Sequence, residues 1–197
     1  MATHFRKFAA LVLVAFVGLG VASLAGYEVG VYLEPEEAEI PTPTATPTPD
    51  AAERARWGDL RKADVRTAFR ERLNGLRTNR SRMPLTPVRG LRRVAGAHSE
   101  DMATRGYLDT REPDGTTAAE RLRESEVACE SGRELVAAVD LAGARIEASA
   151  DLARTLFDRW TDSRAERKVM LSIGASRMGL GLYATDDGRV YATLDVC

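Results

Sequence analysis

The sequence predicts an α+β domain of three to four helices around a small antiparallel sheet, preceded by an N-terminal membrane segment and a Pro/Thr-rich linker. Three observations predict it. Phe8 to Tyr27 is a run of 20 residues without a charge. Five of the eight prolines fall between Glu34 and Asp50. From residue 51 onward apolar residues recur at helical spacing, until two β-rich runs flank Asp186-Asp187-Gly188 near the C-terminus. Of the 197 residues 44% are hydrophobic and 29% charged, which excludes a disordered, collagenous or disulfide-dense chain. Residues 51 to 197 hold 26 basic and 23 acidic side chains. So small an excess makes no sequence-wide basic stripe, and no nucleic-acid partner is expected.

Taken in order, Arg6 and Lys7 precede the apolar run, while Glu28, Glu34, Glu36, Glu37 and Glu39 follow it. A stretch of this length spans a bilayer as a helix, and the basic flank marks the cytoplasmic side. Residues 1–33 are therefore a signal anchor or a signal peptide with a transmembrane segment at 8–27. The chain is expected to be single-pass at the cell membrane with the domain outside the cytoplasm. Ser23-Leu24-Ala25 also forms a small-x-small site, and a cut before Gly26 would make the protein secreted instead. Residues 34–50 alternate Pro, Thr and acidic residues, an extended linker because proline fixes its own φ and biases its predecessor away from helix. Residues 51–197 are long enough for one domain with its own core.

Val65, Phe69, Leu73 and Leu76 mark one face of a helix from Arg61 to about Asn79. A second helix follows Pro87, with Leu91, Val94, Ala95, His98 and Met102 on one stripe, and stops near Gly106. Pro113-Asp114-Gly115 is a turn, and Thr117 with Glu120 has capping-box spacing at the start of a short third helix. Glu134 to Leu141, apolar and partly β-branched, reads as a strand. Ser149 is placed to cap a fourth helix carrying Leu152, Leu156 and Trp160, and "AERKVML" adds a further helical turn. The tail is a hairpin in which Asp187-Gly188 tolerates positive φ.

Cys129 and Cys197 are the two cysteines. In an exported domain an even count favours a disulfide, here between the start of the central strand and the last one, with two free thiols as the alternative. With only His4 and His98 available beside them they make no convincing zinc site.

Read in order, "LNGLRTNRSRMPLTPVRGLRRVAGAHSEDMATRGYLDTREPDG", "RELVA", "WTDSRAERKVML" and "MGLGLYATDDGRVYATLDVC" resemble the CAP superfamily (the SCP, or secretory-protein, domain) in its prokaryotic form, over about residues 65–197. The matches include Asn74 and Arg77 three apart, Pro84-Leu85, then Ala95, His98, Ser99, Asp101, Met102 and Ala103, and Tyr107 ahead of the Pro113-Asp114-Gly115 turn. The resemblance implies an α-β-α sandwich and a cleft in which two imidazoles and acidic residues hold a divalent metal. Here Asp109 stands at the first imidazole position and Glu166 at the second, while Glu134 occupies the family's glutamate position. The His-based metal site is therefore absent and no cofactor is expected. If Asp109, Glu134 and Glu166 converge, their oxygens suit weak calcium or magnesium binding or acid/base chemistry. If they do not, Arg111, Arg133, Arg164 and Arg167, all within two residues of them, neutralise each one. His98, on an apolar stripe, reads as a buried side chain with satisfied ring nitrogens. Ser163 belongs to no nucleophile elbow.

Two functions follow from different classes. The first is a non-catalytic module outside the cytoplasm, tethered to the membrane by its N-terminal helix, that binds an envelope lipid, glycan or protein. The alternative is a cell-envelope hydrolase using the cleft carboxylates, distinguished by whether Asp109, Glu134 and Glu166 meet in an open cleft.

Overall fold

The computed structural model describes residues 56–197 other than 126, 128 and 130. The segment 8–27 and the linker 34–50 lie outside the described residues. Among the described residues no helix is long and apolar enough to cross a membrane.

Helix α1 (Lys62–Thr78) buries Val65, Phe69, Leu73 and Arg77. The last is the exception to its apolar face, with Leu76 only partly buried beside it. The Arg77 guanidinium donates to the carbonyls of Met83 (2.8 Å), Met170 (2.7 Å) and Ala175 (3.0 Å), so one buried cation binds two loops. Burial holds its pKa below the ordinary arginine value. Asn74 pairs with the Leu85 backbone in both directions, at 3.1 and 2.8 Å. These bonds give the Asn74, Arg77 and Leu85 pattern its physical meaning.

Thr86–Pro87 form β1, a two-residue strand that the sequence reading missed. Helix α2 (Arg89–Arg105) buries Leu91, Ala95, His98, Ser99 and Met102 and ends at Gly106, whose φ of 71° is the left-handed stop expected of glycine. The capping box of α3 (Ala118–Glu124) is present on Thr117 and Glu120. Strand β2 is Arg133–Asp140. Helix α4 (Ser149–Asp162) is capped differently from the expectation. Asp151 accepts from the Ala148 N–H at 3.0 Å, while Ser149 Oγ accepts from the Arg61 N–H at 2.9 Å. Ser163 caps α5 (Arg164–Met170). β3 (Arg177–Ala184) and β4 (Arg189–Val196) make the expected hairpin.

The sheet runs β1-β3-β4-β2, with β1 parallel to β3 and the other pairs antiparallel. It is mixed rather than purely antiparallel, and β2 lies at its edge rather than its centre. Alternate side chains divide its faces. Leu180, Leu182, Val190, Ala192 and Leu194 join the core built by Phe69 and Leu73 of α1, Leu156 and Trp160 of α4 and Met170 of α5. On the opposite face α2 lies almost against the backbone. A Cβ on Gly179 would sit 2.3 Å from the Leu91 carbonyl carbon, and one on Gly181 2.1 Å from that of Ala95. The result is an α-β-α sandwich with five described helices. Cys129 and Cys197 are bonded and pack with Leu91, Leu122 and Val127 under α2.

Candidate functional site

The candidate site lies on the α2 side of the sheet, where β2 begins. Glu134 of β2 and Asp195 of β4 stand opposite each other in the antiparallel register. Directly opposed residues share a face with Cβ atoms about 5 Å apart. Glu134 is 8% exposed and Asp195 is fully buried, so two carboxyl groups enter the interior together.

Two side chains from other elements, Arg121 and His98, meet Glu134. Arg121 of α3 places Nη2 2.7 Å from Glu134 Oε1 and 2.9 Å from the Thr110 carbonyl. Its Nη1 is 3.1 Å from Glu112 Oε1. His98 of α2, fully buried at its side chain, holds Nε2 3.0 Å from the Asp109 carbonyl and 3.3 Å from Glu134 Oε1. Since that carbonyl only accepts, the proton of the neutral ring belongs on Nε2. Nδ1 faces the Tyr107 hydroxyl at 3.4 Å, and this hydroxyl donates to Asp101 at 2.5 Å. Arg105 closes the outer side against Asp101, Glu112 and Asp114 at 3.3 to 3.6 Å.

Burial decides the protonation states. Glu134 is pushed up to about 6 by burial, opposed chiefly by Arg121. Asp195 is pushed well above the carboxylate range by burial and then by Glu134's charge. The pair therefore keeps one proton on Asp195, which donates to an ionised Glu134 held by Arg121. Among the described residues no other donor reaches Glu134 Oε2 or either Asp195 oxygen. His98 is pushed down to about 4 by burial and by Arg121, so the imidazole near Glu134 is neutral at pH 7. Burial and the bond to Asp101 raise the Tyr107 hydroxyl.

Of the sequence-predicted residues, His98 and Glu134 meet, while Asp109 and Glu166 do not join them. Asp109 contributes its backbone carbonyl, and its exposed carboxylate turns back to accept the Arg111 N–H at 2.8 Å. Glu166 lies in the first turn of α5, and no hydrogen bond or ion pair joins its carboxylate to another described residue. The expected guanidinium pairing occurs once, at Glu134, and Arg121 supplies it instead of Arg133. Arg111 donates to the Gly115 carbonyl and Arg167 to that of Thr161. Arg121, Asp195, Glu112 and Tyr107 were missed as site residues. Asp195 alone left a signal, an acid within the otherwise apolar or neutral "VYATLDV".

A divalent metal does not fit these residues. His98, Asp101 and Glu112 bring ligand atoms within 4.8 Å of one another. Arg105 and Arg121, however, already supply the cations of that cluster, and an ion would have to enter between two guanidiniums. Glu134 is likewise held by a guanidinium, and among the described residues His98 is the one imidazole.

The α-β-α sandwich and the buried histidine-carboxylate cluster under α2 define a domain of the secretory-protein type. The family model of the cysteine-rich secretory protein family, CAP, matches residues 70–196, and the chain belongs to that family. Among solved structures, an extracellular protein containing a SCP domain from Bacillus anthracis is 22% identical, with a TM-score of 0.55 over 68% of this chain and 40% of its own. An outer surface protein from Borrelia burgdorferi is 18% identical, with a TM-score of 0.55 over 68% of this chain and 92% of its own. These likenesses establish the fold. No curated protein matches the chain.

Proposed function

We propose that this CAP domain is a non-catalytic binding module outside the cytoplasm, held at the membrane by residues 8–27 and recognising a lipid, glycan or protein of the envelope. One observation carries the reading: His98 and Glu134, the imidazole and carboxylate that meet, are closed off and committed to other protein groups. The side chains of His98 and Glu134 are 0% and 1% exposed. A general base must reach its substrate's proton directly or through one water. His98 instead meets a backbone carbonyl, and Glu134 meets Arg121 and a protonated Asp195. The extracellular and surface character of the two structural neighbours supports the same side of the membrane. No cofactor is needed, and calcium or magnesium would bind weakly at most.

The raised proton affinities of Glu134 and Asp195 favour the second reading, an envelope hydrolase. The full chain in an uncharged detergent, incubated with peptidoglycan, ester and peptide substrates, tests it. We expect no turnover, and native mass spectrometry should recover a bound envelope component. Turnover abolished by Glu134→Gln in a folded protein would overturn the binding-module reading. Protease added to intact spheroplasts should remove the domain, and a protected domain would overturn the topology.

A further inference from the structure

A groove of about 360 Å3 follows the flank of β3 between α1 and α2. Four guanidinium side chains line it: Arg66 and Arg70, one turn apart on α1, and Arg89 and Arg92 in the first turn of α2. No carboxylate is among its lining residues. Arg66 is fixed by a 3.0 Å bond to the Leu180 carbonyl. Among the described residues the side chains of Arg70, Arg89 and Arg92 form no hydrogen bond or ion pair. Among the described residues the side chains of exposed arginines such as Arg72 and Arg123 likewise form no hydrogen bond or ion pair, but those of the groove converge on one concavity.

The start of α2 adds to the positive field. Its N-cap is Val88, which offers no side-chain acceptor, and its first turn holds no acidic residue. Uncapped N–H groups and the positive end of the helix dipole thus coincide with Arg89 and Arg92, against the usual preference for acids at that position. A conflict between local rules and sequence is a mark of a site serving something besides stability. At its base runs β3 from Met178 to Leu180, whose side chains are buried in the core, with half-buried Val88 beside it. Planar guanidinium forks pair with phosphate oxygens, and forks from two helices need a ligand with several such oxygens. The geometry points to a site for the phosphate head of an anionic lipid, with its glycerol against half-buried Val88 and the methylene stems of the lining arginines. This deepens the binding-module reading, on which it rests.

The test is calorimetric titration of the full chain in uncharged detergent with three probes: dihexanoyl phosphatidic acid, dihexanoyl phosphatidylcholine and inorganic phosphate. The phosphatidic acid should bind at least about tenfold more tightly than either of the others. The triple variant Arg70→Gln, Arg89→Gln, Arg92→Gln should lose about tenfold or more. Arg72→Gln, Arg123→Gln, Arg164→Gln, which removes the same charge elsewhere, should change affinity less than about twofold. If the first triple variant does not fold by circular dichroism, the single changes Arg89→Gln and Arg92→Gln, at exposed side chains, should each lose about threefold or more. No binding, phosphate bound as tightly as the lipid, or equal losses in the two triple variants would overturn the site. None of these results touches the binding-module reading, whereas turnover abolished by Glu134→Gln would overturn that reading whatever the groove binds.

Discussion

Replacing Arg121 with Gln tests the buried cluster most directly. The guanidinium is the cation nearest Glu134, at 2.7 Å, and the Glu134 side chain is 1% exposed. Removing one partner of a buried ion pair leaves the other charge uncompensated, at a cost of about 3–5 kcal/mol. For a domain of this size that corresponds to a fall in melting temperature of about 10 °C at pH 7.5. The pH dependence supplies a second signature. Arg121 lowers the proton affinity of Glu134, Asp195 and His98 in the folded protein. Without it all three hold protons more tightly in the fold, while their unfolded values are unchanged. A group whose folded pKa is raised adds stability below its unfolded pKa and loses it as pH climbs through the folded one. The variant's deficit should therefore shrink on acidification from pH 7.5 to Glu134's wild-type value of about 6, below which both folded proteins hold that proton and Glu134 changes the difference no further. Each unit by which Glu134's proton affinity has risen returns about 1.4 kcal/mol. Differential scanning calorimetry of both proteins at pH 7.5 and 5.0 measures the effect. Arg121→Met with Glu134→Leu, which removes both charges, should be more stable than Arg121→Gln. A single variant within about 1 kcal/mol of wild type at pH 7.5, or a deficit unchanged at pH 5.0, would refute the assignment of Arg121 as the counterion.

The disulfide joins residues 68 apart, so Cys197→Ser should cost about 4 kcal/mol in urea denaturation, a loss that reductant reproduces in the wild type. Gly181→Ala would put a methyl group 2.1 Å from the Ala95 carbonyl carbon and should destabilise by several kcal/mol or abolish folding. Gly96→Ala, with nothing within 4 Å of the added carbon in the same helix, should stabilise by about 0.5–1 kcal/mol; equal outcomes for the two would refute the close approach of α2 to the sheet. Zinc titrated calorimetrically at micromolar concentration should give no binding. Zinc binding abolished by Glu134→Gln would mean that the ion displaces Arg121.

The helices were legible because each exposes one face, so the period of 3.6 is written in residues such as Val65, Phe69 and Leu73. The hairpin was legible from Asp187-Gly188, where Gly188 has a φ of 78°. β1 was not, since two residues carry no period and Thr86–Pro87 pair only because β3 lies beside them. The cluster was harder still, because its members are joined by strand register and helix docking rather than by proximity in sequence. Glu134 meets Asp195 through the pairing of β2 with β4, and Arg121 arrives on a separate helix.

The clearest lesson lies at Asp109, which an order of residues placed where an imidazole would stand. Its carboxylate instead bonds the N–H two residues on, as aspartate in a turn readily does, while its carbonyl reaches His98. The motif position thus brings the backbone of Asp109, rather than its side chain, to His98. The cation beside Glu134 is likewise one that the motif does not name, the guanidinium of Arg121 at 2.7 Å. On the binding-module proposal, that guanidinium holds Glu134 ionised in the place where a reactive site would keep a coordination position open.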